Sequence, residues 1–252
     1  MFHKPTERVL SIFNLVSGHP EGLTLTQISQ QLQIPKSTIS PILQEMAFQN
    51  YLYLDNHTGL YFLGLSLHAI ASSYDITNEL IPQVKRIMKR ITEESNEMCQ
   101  LGILEGTEIL YLIKEAPQTE MPIQIISYTG KKLPAHATAL GKALLSHYSF
   151  EELQTLYPDG LEKMTPNTIT DIHVLWQQLQ EIQRTNISFE SEEITKFLCC
   201  YATPILLTPT RRIALSISLP LFLCNPEKIE QIKRLLLQAK EEIEGLHLLK
   251  AD

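Results

Sequence analysis

A chain of 252 residues with 44% hydrophobic and 19% charged residues has room for one large or two ordinary globular domains and a sizeable core. Its formal net charge of −7 argues against wholesale binding to nucleic acid or anionic membranes, yet permits a small DNA-reading head on an acidic body. No apolar run reaches the length of a membrane span, and the amino terminus lacks the apolar core of a signal peptide. The four cysteines are therefore expected as reduced thiols of a cytoplasmic protein.

Residues 7–16 carry Val9, Leu10, Ile12, Phe13 and Val16 at helical spacing, and Gly18, Pro20 and Gly22 stop that helix. Thr24 and Gln27 have the spacing of a capping box, with Ile28 and Leu32 on one face of the helix they open. Pro35 disfavours helical geometry at Ile34, and a second stripe then runs Ile39, Ile42, Leu43, Met46. Two short one-sided helices across a three-residue turn form a helix-turn-helix layout. The alternating run 51–54, the turn residues 55–59 and the returning run 60–63 add a hairpin. The whole is a winged helix, whose usual ligand is the DNA major groove. Lys36, Ser37, Thr38 and Ser40, at the start of the second helix, have the ammonium and hydroxyl groups that reach phosphates and base edges. Charge weighs the other way: residues 1–64 hold Lys4, Arg8 and Lys36 against Glu7, Glu21, Glu45 and Asp55.

Residues 65–76 read as a linker helix. The next stripe, Leu80, Val84, Ile87, Met88 and Ile91, has a polar face of Lys85, Arg86, Lys89 and Arg90, read as a solvated face. Beyond residue 97 the texture turns to strands: 98–104 and 109–114 around a hairpin turn, then 122–128, 201–207 and 213–219, with Ser188 and Phe189 in another. Residues 133–148 pass from loop to helix. Thr170 is the expected cap of a helix over 171–185, and Asn225-Pro226 opens a closing helix. Strands flanked by helices predict an α+β domain. The domain expectation is 1–64 for the winged helix-turn-helix, 65–76 for the linker and 77–252 for the second domain.

Enzyme signatures such as GxSxG, HExxH and GxGxxG are missing, and no cofactor is expected. The cysteines lack metal-site spacing, and Cys199 and Cys200 would face opposite sides of a strand, so no metal is expected and buried thiols are the reading for at least three of the four. Ser216 and Ser218 share one face of an apolar strand, where a main-chain carbonyl or a polar ligand would satisfy them.

Three blocks, ERVLSIFNLVSGHPEGLTLTQISQQLQIPKSTISPILQEMAFQNYL, LPAHATALGKALLS and SEEITKFLCCYATPI, resemble in order the helix-turn-helix and the two effector-domain motifs of the IclR family of bacterial transcription regulators. The resemblance implies a GAF-like or profilin-like α+β effector-binding domain. It also implies operator DNA and a small organic acid as partners, and a homodimer that can pair into a tetramer. Carried over residue by residue, the family's ligand contacts fall on Ala139, Leu140, Glu190, Cys200, Ser216 and Ser218. The backbone N–H groups of Ala139 and Leu140 open a helix and favour an anion. Three departures stand out, one of them Glu190, which stands where the family usually has aspartate. Ser40-Pro41 replaces the family's His-Arg, which predicts either a bend after Ser37 or a helix starting late at Pro41; the bend is expected because Ile39 belongs to the stripe. Phe197 replaces a glycine, where its ring would fill part of the pocket or reshape the strand. The reading is therefore an effector-controlled transcription regulator, a repressor by family habit. The alternatives are a ligand-binding protein with weakened DNA binding, and a small-molecule hydrolase or lyase using Cys200 and His136.

Overall fold

The computed structural model describes residues 3–77, 80–118 and 126–248. The chain divides into two compact units, Met1–Ile81 and Pro82–Asp252.

In the first unit, α1 (Lys4–Ser17), α2 (Leu25–Leu32) and α3 (Lys36–Phe48) enclose a core of Ile12, Val16, Ile28, Ile39, Leu43 and Met46. The apolar stripes of all three helices meet there. The capping box forms as the spacing requires: the Thr24 hydroxyl accepts from Gln27 N at 3.3 Å, and Gln27 Oε1 accepts from Thr24 N at 2.8 Å. Gln33 ends α2 in the left-handed region, at φ 55°. The hairpin is β2 (Leu52–Asp55) and β3 (Leu60–Leu63), with Leu54 opposite Tyr61. The two-residue strand β1 (Leu23–Thr24) pairs with β3 and makes the sheet three-stranded, in the order β1-β3-β2. This strand was not expected. In the wing turn, Asp55 accepts from His57 N and the Thr58 hydroxyl, and these bonds hold its carboxyl below the usual range. Gly64 then lets the chain pass against the second helix-turn-helix helix's end, because a Cβ there would lie 2.1 Å from the Asn50 carbonyl oxygen. Helix α4 (Leu65–Thr77) follows, tied back by Ser66 N to Asn50 O at 3.1 Å.

Two outcomes were open for helix α3, a bend after Ser37 or a late start at Pro41. It begins at Lys36, with Thr38 N and Ile39 N bonded to the Pro35 carbonyl, and it runs unbroken through Pro41 to Phe48. The late start is therefore excluded. Pro41 is exposed, so the Ser37 carbonyl that loses its amide partner lies on the wet side of the helix.

The second unit is built on a six-stranded antiparallel sheet, ordered β6-β5-β4-β9-β8-β7. Its strands are β4 (Met98–Glu105), β5 (Glu108–Glu115), β6 (Lys132–Pro134), β7 (Ser188–Ser191), β8 (Leu198–Thr208) and β9 (Arg211–Pro220). On one face lie α6 (Ala139–Leu145), α7 (Phe150–Leu156) and α8 (Ile172–Thr185), packed with Ile109, Tyr111, Ala202 and Ala214. Neighbouring residues of a strand point oppositely, so Tyr201 faces the other side, where it stacks on Phe189 at 4.7 Å beside α9 (Pro226–Leu248). Helix α5 (Leu80–Ser95) is joined to α9 by Arg90–Glu242 at 2.7 Å, and Glu97, just past its end, pairs with Lys228 of α9 at 3.2 Å. The result is an α+β unit with helices on both sheet faces.

Four expectations need correction or restriction. Asp171, not Thr170, caps α8, because its own Oδ1 accepts from His173 N at 2.8 Å. Helix α7, opened by a Ser149–Glu152 capping box, was missed. Of the strand expected over 122–128, residues 122–125 lie outside the described residues, and 126–128 belong to no strand. Cys199 and Cys224 are joined by a disulfide across Cα atoms 7.7 Å apart, so they are not the reduced thiols expected. The short turn after β9 places Cys224 on the side of the sheet to which Cys199 points, while Cys99 and Cys200 remain free.

Candidate functional site

In the first unit, Lys36 and Ser37 are exposed and Thr38 and Ser40 half-buried, all in the first turn and a half of α3. Ile39, Leu43 and Met46 are buried on the opposite side, which is what turns the polar residues outward. Lys36 is the one cation in this helix. The arrangement offers a short hydrogen-bonding edge with little positive field.

The second unit holds a small cavity of ≈30 Å³ between the sheet and α6. Ala139, Leu140, Glu190, Cys200, Ser216 and Ser218 all line it, together with Gln100, Tyr111, Ser127, Thr138, Thr195 and four apolar side chains. Strand register explains the gathering: Glu190 stands opposite Cys200, Cys200 opposite Ser218, and Ser216 opposite Gln100 on β4. The polar groups are already linked. Cys200 Sγ lies 3.1 Å from Ser218 Oγ, Ser218 Oγ donates to Gln100 Oε1 at 3.3 Å, and Gln100 Nε2 donates to Ser127. The α6 wall is fixed by Thr138, whose hydroxyl accepts from Gly141 N at 3.0 Å, and by Ser188, which donates to the Ala139 carbonyl at 2.6 Å. Gly141 permits the close approach of α6 to the preceding turn, since a Cβ there would lie 2.0 Å from the Ala135 carbonyl oxygen.

Beside this wall lies a buried charged group that the sequence reasoning missed. Lys142 is fully buried, and its ammonium donates to Glu193 at 2.5 Å and to Gln178 at 2.9 Å. Burial lowers its pKa, and the Glu193 carboxylate opposes that. Glu190 is 3% exposed and accepts from Glu193 N at 3.0 Å; burial pushes its carboxyl up to about 7. Burial likewise raises the Cys200 thiol, reinforced by Glu190, so the sulfur is protonated at neutral pH. The described lining residues include no lysine, arginine or histidine.

Cys200 and His136 are not brought together. His136 Nε2 bonds the Glu162 carbonyl at 2.8 Å, and its ring packs against Tyr157 in a different cavity. Phe197 takes φ 63°, the left-handed value that a glycine would adopt readily, and its ring is 64% exposed, so it does not fill the pocket. Among the described residues no three metal-ligating side chains are grouped, and no helix is long and apolar enough to cross a membrane.

A winged helix-turn-helix unit followed by an α+β unit with a small cavity beside its sheet is the architecture of a class of transcription regulators. Residues 5–56 match the family model described as "IclR helix-turn-helix domain", and residues 69–244 match "Bacterial transcriptional regulator IclR C-terminal". The chain belongs to the IclR family of bacterial transcriptional regulators. Its relatives include the HTH-type transcriptional regulator BhcR of Paracoccus denitrificans, 27% identical over 239 residues, covering 94% of this chain and 85% of that one. The HTH-type transcriptional repressor AllR of Klebsiella pneumoniae is 28% identical, covering 79% and 73%. The fold matches an IclR transcriptional regulator of Alicyclobacillus acidocaldarius at a TM-score of 0.88 and 18% identity, over 98% of this chain and 100% of that one. It also matches an IclR homologue of Microbacterium hydrocarbonoxydans complexed with 4-hydroxybenzoate, at 0.80 and 22%, over 94% and 98%.

Proposed function

We propose that this regulator is a repressor of a metabolic operon, released or engaged by a small organic acid bound in the cavity beside α6. The observation that carries the reading is that all six effector contacts implied by the family resemblance line one small cavity. Repression is supported by relatives named as repressors, AllR and the acetate operon repressor of Salmonella typhimurium. The cavity volume has room for a couple of water molecules, which favours a compact ligand of a few heavy atoms. Operator contact is assigned to Lys36, Ser37, Thr38 and Ser40, residues 65–76 to the linker between domains, and paired chains to the reading of two half-sites. The protein would work in the cytoplasm, where its operator is.

A thermal-shift screen of small hydroxy and keto acids against wild type and Ser218→Ala tests this. A ligand at about 100 times its dissociation constant stabilises the fold by roughly 2.7 kcal/mol. A shift lost in Ser218→Ala is expected; an equal shift in both would put the ligand elsewhere. A second reading, a ligand-binding protein with a weakened DNA head, is favoured by the single cation of α3.

A further inference from the structure

The cavity poses an electrostatic problem for an acidic ligand. Its described lining carries a carboxyl group, Glu190, and no cationic side chain. Two lysines lie behind this lining and both are engaged: Lys142 donates to Glu193 and Gln178, and the half-buried Lys114 donates to the Ser127 carbonyl at 2.8 Å. Around Glu190 stand Lys142 from α6, Tyr111 from β5, Cys200 from β8 and Glu193 from the segment after β7. Tyr111 and Cys200 are neutral there, because burial raises both. With both glutamates ionised, this interior group would hold two negative charges against one positive, and an anionic ligand would add a third. A buried charge without a partner is unfavourable enough that a titratable group instead changes its protonation. One oxygen of Glu190 is occupied by the Glu193 amide. The Cys200 thiol also bonds this carboxyl, and the lone-pair positions that remain have room for a proton that a ligand oxygen can accept.

We propose that Glu190 is the specificity-determining residue of this cavity: it meets the ligand as a neutral carboxylic acid, so a small monocarboxylate binds only together with that proton, and a dicarboxylate is rejected. The inference rests on the cavity being the effector site. It makes ligand affinity depend on pH through one residue, and it makes a neutral isostere of the ligand insensitive to pH.

The test uses the full chain with glycolate and its neutral isostere glycolamide as probes, by calorimetry at pH 6 and pH 8. Glycolate should bind wild type about tenfold more weakly at pH 8 than at pH 6, as expected for loss of one proton from a group near 7. Glycolamide should show no such change, and Glu190→Gln should bind glycolate with equal affinity at both values. Malonate should fail to compete. Glycolate affinity that is independent of pH in wild type, or a pH dependence that survives in Glu190→Gln, overturns the proposal. The carbon-13 resonance of the Glu190 carboxyl in the ligand-free chain provides an independent readout. Titration near neutrality, lost in Glu190→Gln, supports the proposal, and full ionisation by pH 5 overturns it whether or not either probe binds. Absence of probe binding alongside a neutral Glu190 would count against the cavity as the effector site and not against the protonation.

Discussion

Lys142 shows how much of the candidate site rests on one side chain that touches no part of the cavity surface. Its ammonium has no access to solvent and is held by Glu193 and Gln178. Deleting one partner of such a pair leaves the other as an uncompensated buried charge, a loss of about 3–5 kcal/mol. Lys142→Ala should therefore lower unfolding free energy by that amount in urea, while Lys142→Met, which loses the same charge but little volume, should be less destabilised. Unchanged stability in Lys142→Ala would contradict this account of the pair. Neither Lys142 nor Gln100 was expected as part of the site, although Lys142 lies within the second motif. Their partners are 51 and 118 positions away, and such pairs leave no periodic trace along the chain. Ser216, Ser218, Cys200 and Glu190 came from the family resemblance; what residue chemistry alone supplied was the shared face of the two serines.

At the scale of elements, α3 is the informative case. A proline inside a helix removes one hydrogen bond and crowds the preceding turn, a cost of roughly 3 kcal/mol. The helix nevertheless runs through Pro41, since Ile39, Leu43 and Met46 are buried on both sides of it. Burial of three apolar side chains, at about 1.5–3 kcal/mol each, exceeds that cost. Pro41→Ala should raise the stability of the winged unit by about 1–3 kcal/mol, read as a higher denaturation midpoint; a lower midpoint would show that the ring itself makes a contact worth more than the bond. Strongly periodic helices and the capped turns between them were legible because their signals are local. Strand β1 was not, because two residues carry no alternation, and its pairing with β3 is decided by Leu23 meeting Tyr61. Helix α7 was missed although Ser149 and Glu152 carry a capping-box pattern, which a search of every such spacing would have found.

At the scale of the whole molecule, the acidic balance sets the expected DNA behaviour. Affinity for duplex DNA falls with salt by a slope of about −0.9 per phosphate neutralised. With Lys36 the sole cation of α3, a dimer should show a shallow slope, and Lys36→Ala should flatten it by about 2. Light scattering at micromolar concentration should report a dimer or a larger even assembly; a monomer alone would contradict the reading of two half-sites.

The central claim is that this chain recognises an operator through the start of α3. Fluorescence anisotropy with duplex DNA from upstream of its own gene, against an unrelated duplex at about 0.15 M salt, tests it most directly. Wild type should bind the upstream duplex saturably and more tightly than the unrelated one, and a folded Lys36→Ala, Thr38→Ala variant should lose that preference. Equal, weak binding of both duplexes by wild type, or an unchanged preference in the variant, would contradict it.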